Sequence, residues 1–399
     1  MLAQYAILRV KPAPRTSEPF RSRGPMAQAS MMPADSPAAG ARASIEKAEL
    51  SQNEVLDTAN DPAVQGMARI MPTALIHPFD VPMQATAKRA WGIDAVRADV
   101  SQFDGTGVTV AVLDTGIDRT HPAFAGMELV ERDFSGSGNG DRQGHGTHCA
   151  GTVFGRDVGD TRIGIARGVK RALIGKVLGD DGGGTSDALF RAIPWAIEEG
   201  ANVVSMSVGF DFPGFAASLQ QDGMPPALAT SMALEAYRGN INMFDALMAM
   251  VKASAAFSSS GVVVAASGNE SHVELRPDFR IGTSLPAAAE GVLAVGAVEQ
   301  VGNELRIANF SNTFPQICAP GVNVLSARRG GGLVALSGTS MACPHVAGVA
   351  ALWWQSVRAT NGVANPTLVT AKLLGTARPE ALMAAVAAAD RGAGLLTAP

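Results

Sequence analysis

Three short segments hold residue types suited to nucleophilic chemistry. Leu113-Asp114-Thr115-Gly116 ends an apolar run. An acid at the end of a strand, with glycine close behind, can project into a cleft, although a turn aspartate bonded to its own backbone fits as well. In Gly144-His145-Gly146-Thr147-His148-Cys149, glycines flank His145 and allow close backbone approach where a helix begins. His145 and His148 stand three apart, a spacing that can bind metal on one helix face, with Cys149 four on. No nearby carboxylate or further histidine completes such a site, and a core or capping histidine is the plain alternative. In Leu336-Ser337-Gly338-Thr339-Ser340-Met341-Ala342-Cys343-Pro344-His345, Pro344 is expected in the first turn of a helix, where its missing N–H costs little. That places Ser340 at or beside the helix N-terminus, where the macrodipole favours a developing negative charge; an N-cap serine is the alternative. Together, Asp, His and Ser are the parts of a nucleophilic triad. A serine hydroxyl attacks poorly until a base takes its proton, and the base needs an acid to fix its tautomer.

Such groups must be brought together by a framework, and the pattern from Gly107 onward supplies one. Apolar runs rich in β-branched residues at 108–113, 173–178, 202–206, 261–266 and 292–298 alternate with helical stretches at about 145–154, 186–199, 241–258 and 340–356. Continuous apolar strands separated by helices predict an α/β fold, a parallel sheet flanked by helices on both faces. Chemistry in such sheets gathers at the carboxyl ends of the strands. Ahead of it, strands at Tyr5 to Val10, Ser44 to Leu50 and Val64 to Met71, with a helix from Gln52 to Thr58 opened by the capping box Ser51-Gln-Asn-Glu54, predict a small α+β unit within residues 1–80. Residues 11–40 hold six of the 23 prolines and are expected to be flexible.

Composition narrows the function classes. A chain of 399 residues with 47% hydrophobic and 17% charged residues is globular. A net charge of −4 argues against a nucleic-acid partner. No apolar stretch approaches the ~20 residues of a membrane span. Three cysteines, at 149, 318 and 343, form neither a disulfide framework nor a structural zinc motif. Met1 to Val10 lacks the basic start and long apolar run of a secretory leader, so the expectation is a cytoplasmic chain or one exported by a leaderless route.

"AVLDTGID", "GHGTHCAG" and "SGTSMACPHVAGVAAL", in that order, resemble the three signature segments of the subtilase (subtilisin-like) serine peptidases. The likeness runs from about Ala90 to the end and includes 176–209 and 261–270. It implies a serine endopeptidase that hydrolyses peptide bonds through an acyl-enzyme and needs no cofactor for the chemistry. Ser340 is then the nucleophile, His145 the general base and acid, and Asp114 the group that orients the imidazole. Asn269 and the Ser340 N–H form the oxyanion hole. Ser207, Val208 and Gly209 pair with the substrate backbone, and Ser284 belongs to the pocket for the residue before the scissile bond. Residues 1–80 resemble the pro-domain of the family, an inhibitor of its own enzyme released by self-processing within 72–88; residues 81–399 form the peptidase domain.

The sequence also departs from the family. His121-Pro122 is followed by Ala123 where an acidic calcium ligand is common, and Val158 stands where a ligating Asn is usual. That calcium site is expected to be absent, and others stay open. About 30 extra residues near 211–240 follow the substrate strand and are expected to wall or lid the cleft, with a second helical run at 227–237. Cys149 and Cys343, close to His145 and Ser340, suggest sensitivity to thiol reagents. Two competing readings are an aspartic protease using Asp114, which needs a second such motif or a homodimer, and a silent peptide-binding protein that keeps the fold.

Overall fold

The N-terminal unit is built from β1 (Ala3–Lys11), β2 (Arg42–Leu50), α1 (Gln52–Ala59) and β3 (Val64–Arg69). These three strands form an antiparallel sheet in the order β2-β1-β3. The capping box forms as expected, with Ser51 N–H donating to Glu54 at 2.8 Å. The computed structural model describes residues 2–11, 42–76, 78–80, 88–254 and 260–399. The proline-rich stretch expected at 11–40 lies outside these residues, Lys11 apart.

Two short strands, β4 (Pro72–Leu75) and β5 (Phe79–Asp80), and the helix α2 (Trp91–Ala95) follow. The central sheet then begins with β6 (Thr109–Asp114), β7 (Glu128–Asp133), α3 (His145–Phe154), β8 (Arg171–Lys176), β9 (Gly183–Thr185), α4 (Ser186–Glu198), β10 (Val203–Met206) and β11 (Val208–Phe210). The extra residues form α5 (Phe212–Gln221) and the first half of α6 (Pro226–Ser254), and β12 (Val262–Ala266) returns the chain to the sheet. The remainder is β13 (Val292–Val301), β14 (Glu304–Ile307), β15 (Ile317–Pro320), β16 (Val324–Ala327), β17 (Leu333–Ser337), α7 (Thr339–Asn361), α8 (Pro366–Gly375) and α9 (Ala388–Arg391).

The strands order as β14-β13-β12-β10-β6-β8-β7, with β15 also on β13, and every pair but β13–β14 is parallel. This is the α/β architecture expected. Both faces are buried: Val110 and Val112 of β6 join one apolar cluster with α3 and α7, while Ala111 and Leu113 join the other with α4 and α6. That second cluster also takes Ala6, Leu8, Ala68 and Met71, so the N-terminal unit and the sheet's helical layer share one core. Two expectations are corrected. The helical runs expected at 227–237 and 241–258 are one continuous helix from Pro226, because the only proline pair lies at its start, where proline is tolerated. Pro344 lies in the second turn of α7, not the first, since that helix begins at Thr339.

Phe244 on α6 is fully buried and meets Phe190 of α4 at 4.8 Å and Phe210 of β11 at 5.9 Å between ring centroids. Phe244→Ala, made in a Ser340→Ala background, is expected to lower unfolding stability by about 3–5 kcal/mol, read from urea unfolding curves.

Candidate active site

The carboxyl end of β6 delivers Asp114, the first residue of α3 is His145, the first turn of α7 carries Ser340, and the loop after β12 carries Asn269. Four elements from distant parts of the chain thus converge at the carboxyl ends of the central strands. Asp114 is 1% exposed and His145 is equally buried. His145 Nδ1 and Asp114 Oδ1 are 2.7 Å apart, and the same oxygen accepts the Thr115 N–H at 2.7 Å. Nδ1 is the donor if the carboxylate is ionised, which leaves Nε2 as the basic nitrogen. That Nε2 is buried with no hydrogen-bond partner among the described residues.

This contact requires backbone to lie on backbone. A Cβ on Gly146 would sit 2.2 Å from the Gly116 carbonyl oxygen, and one on Gly116 would sit 2.2 Å from that of Gly140. Side chains then satisfy the first three N–H groups of α3, which have no partner within a helix. His145 N donates to Gln143 Oε1 at 2.7 Å, Gly146 N to Thr115 Oγ1 at 2.9 Å and Thr147 N to Asp141 Oδ2 at 2.9 Å. Asp141 also gathers the groups around that turn. Its Oδ1 accepts from Thr115 Oγ1 and from the N–H groups of Gln143 and Gly144, and its Oδ2 also takes the Thr147 hydroxyl at 2.6 Å. Sequence reasoning did not single out Asp141; an acid four residues before the first residue of a helix is the signal that could have found it.

Ser340 is held through its backbone. Pro344 has no N–H to give the carbonyl four residues back, and that carbonyl belongs to Ser340. It accepts instead from Ser207 Oγ at 3.1 Å and Cys149 Sγ at 3.4 Å, which ties α7 to β10–β11 and α3. Thr339, next to Ser340, orients Asn269: its N–H and its hydroxyl donate to Asn269 Oδ1 at 2.9 and 2.8 Å. The amide plane is thereby fixed with Nδ2 on its other branch.

An extended segment lies across these groups. β4 is the middle strand of a three-stranded antiparallel sheet, with β11 on one side and β9 on the other. Gly209 stands opposite Ala74 and Val208 opposite Leu75. A Cβ on Gly209 would meet Ile76 Cγ1 at 3.2 Å, so glycine there leaves room for the Ile76 side chain. Ser340 Oγ donates to the Ile76 carbonyl oxygen at 3.3 Å. The chain then runs on to Phe79 and Asp80, which pair with Ser337 and Leu336 of β17. Ser284 donates its hydroxyl to the Ser267 carbonyl at 3.2 Å.

The nearby thiols stay protonated at neutral pH. Burial, and then the Asp114 charge, pushes Cys149 well above its usual value, and burial pushes Cys343 to about 11. Both are fully buried, which works against the reagent sensitivity suggested by their positions. Asp114, His145 and Cys149 place donor atoms within 4.8 Å of one another, but a metal there would have to break the Asp114–His145 bond. His148 faces away, its Nε2 on the Val324 carbonyl at 3.0 Å. In the loop after α3, two guanidinium groups hold the carbonyls: Arg156 reaches those of Phe154 and Val169, and Arg162 those of Ala98, Gly164 and Ile165.

A site of this kind cleaves acyl bonds through a serine, and what lies over it is peptide; the class is serine endopeptidase. The sequence profile of the subtilase family matches residues 105–394. Subtilisin BL of Lederbergia lenta is 33% identical over 298 residues, 72% of this chain and 92% of that protein. M-protease of Shouchella clausii is 33% identical over 287 residues, 69% of this chain and 63% of that protein. The thermostable alkaline protease of Halalkalibacterium halodurans is 32% identical over 313 residues, 76% and 71% of the two chains. The chain belongs to the subtilase family.

Two predictions follow from this geometry. Asp141→Asn, which puts an amide N–H where Thr147 donates, is expected to lower kcat by about 10²-fold through misplacement of His145. KM should stay near its starting value, and steady-state kinetics on a peptide substrate reads both. Burial, and then the nearby His145, depresses His148 to about 3, and burial depresses His345 to about 4. Between those values and 6.5 the unfolded chain binds protons that the folded one does not. Stability is therefore full above 6.5 and falls as the pH drops, by about 1.4 kcal/mol per pH unit for each histidine. Urea midpoints of Ser340→Ala at pH 7, 6 and 5 should decline accordingly; equal midpoints would contradict the assignment.

Proposed function

We propose that Ser340, His145 and Asp114 are the catalytic triad, and that the chain is a zymogen whose first substrate is its own Ile76–His77 bond. The Ser340 Oγ to Ile76 carbonyl contact of 3.3 Å carries this reading. As Oγ attacks the carbonyl carbon, its proton passes to His145 Nε2, and Asp114 stabilises the imidazolium across the 2.7 Å bond. The tetrahedral oxygen takes the Ser340 N–H and Asn269 Nδ2; Thr339 sets the aim of the latter in advance. His145 then protonates the leaving amine of His77, and water hydrolyses the acyl-enzyme on Ser340. Catalysis in this family needs no cofactor. Structural calcium is a family trait, and we place none at the loop 156–162.

In this reading residues 1–76 are the pro-region, and they inhibit by filling the cleft until they leave. Ser207, Val208 and Gly209 serve the substrate backbone. Ser284 serves the pocket for the residue before the scissile bond. The free enzyme acts on peptides and proteins in extended form.

Intact mass spectra of the natural chain and of Ser340→Ala test this. The natural chain is expected to lose residues 1–76 and begin at His77, while the variant stays whole. Cleavage of both chains at the same bond, or of neither, would overturn the reading.

A further inference from the structure

The contacts between the N-terminal segment and the rest of the chain do not end at the four residues before the Ile76–His77 bond. They continue through residues supplied by the insertion and by the start of α4. Asp211 N–H donates to the Pro72 carbonyl at 3.2 Å, which extends the β11 ladder by one bond. Ser186 holds Met71 from both sides: its N–H donates to the Met71 carbonyl at 2.9 Å, and its Oγ accepts the Met71 N–H at 3.1 Å. The Met71 side chain is fully buried, within the apolar cluster that includes Phe190, Met243 and Phe244. Two residues further back, Asn240 on α6 donates Nδ2 to the Arg69 carbonyl at 2.8 Å. Phe215 on α5 faces the Arg69 guanidinium, 5.4 Å from its ring centroid.

Asn240 is the telling residue. It is wholly buried in the middle of a helix, and its Oδ1 has no partner among the described residues. A buried amide left half-satisfied is costly, and its other half is spent on the Ala236 carbonyl and on the backbone of the segment. Departure of residues 1–76 would leave that N–H facing a surface built to receive extended chain. The contacts on Pro72, Met71 and Arg69 through Asp211, Ser186 and Asn240 are to main chain, so any peptide in the same register can make them. The two that depend on side chains are the Met71 enclosure and the Phe215 ring, which suits a guanidinium or ammonium.

We infer that α5, α6 and the start of α4 form a second set of subsites, for the fifth to eighth residues before the scissile bond, which select extended peptides with a large apolar residue sixth and a cationic residue eighth. This rests on the register set by Ile76 opposite Ser340. The sequence expectation of a cleft wall at 211–240 thereby becomes a specific one: the hairpin lengthens the cleft along the substrate.

The test uses the enzyme released by its own cleavage and four internally quenched peptides. They carry residues 69–80 of this chain, the same peptide with Arg69→Glu, the same with Met71→Gly, and a truncated peptide of residues 73–80. Relative to the first, kcat/KM is expected to fall about threefold with Arg69→Glu and about tenfold with Met71→Gly. The truncated peptide should fall at least as far as the second of these. On Phe215→Leu enzyme the Arg69→Glu step should vanish while the Met71→Gly step persists; the natural enzyme with the four peptides decides the matter even if that variant does not fold. Equal kcat/KM for all four overturns the inference. So does a result in which Phe215→Leu weakens inhibition by added fragment 1–76 but leaves the peptide ratios unchanged, because the contacts would then serve the pro-region alone. The new N-terminus separates the two readings. Any terminus other than His77, or none, removes the register and both with it; a terminus at His77 with four equal peptides removes this inference alone.

Discussion

The arrangement depends on one hydrogen bond, from His145 to Asp114, made in a place that water does not reach. For a carboxylate at the end of a strand to meet a ring on the first residue of a helix, three pieces of backbone must touch. Gly116 and Gly146 permit that approach, and Asp141 holds it by accepting from both the Asp114 side, through Thr115, and the first turn of α3. The low local dielectric then makes the Asp114–His145 pairing stronger than it would be at a surface. Serine is brought to this pair by a helix that omits one of its own hydrogen bonds. Because Pro344 cannot donate, the Ser340 carbonyl is claimed by Ser207 and Cys149, and Ser340 is fixed relative to β10–β11 and α3.

The N-terminal unit stands in an unusual relation to this site. It contributes Ala6, Leu8, Ala68 and Met71 to the apolar layer beneath α4 and α6. Its continuation then becomes the middle strand between β9 and β11. The folded chain therefore forms the cleft between β9 and β11 with β4 already in it. Were the unit to leave, apolar surface would be exposed and the edges of β9 and β11 that pair with β4 would be unpaired.

Much of this was legible in the sequence for simple reasons. The strands buried on both faces are continuous apolar runs, and α3 begins at His145 as glycine and polar spacing suggest. Ser51 and Glu54 announce α1 by their reciprocal caps. The edge strand β7 escaped because Glu128-Leu-Val-Glu-Arg-Asp133 shows no apolar run. β4 and β5 escaped because their partners, β11 and β17, lie more than a hundred residues away. A segment that becomes a strand only by lying between two others carries no local signal of its own. Pro344 misled for a related reason: proline marks a first turn statistically, but here its missing N–H has a tertiary use. Asp141 was passed over because its signal, an acid four residues before the first residue of a helix, is shared with surface acids, while its five donors are gathered only by the fold.

The three-stranded sheet around β4 has a wider meaning for what the enzyme can attack. Take away the middle strand, and β9 and β11 face each other across a gap about two interstrand spacings wide, roughly 9–10 Å. Such a gap admits a single extended chain with both its edges free, and excludes a helix or a strand already paired in a sheet. A folded target must first release such a segment, at the free energy of local opening. When that opening is fast relative to cleavage, the lifetime of a target protein follows the population of its opened states, and the protease becomes a gauge of other proteins' local stability as much as a reader of their sequence.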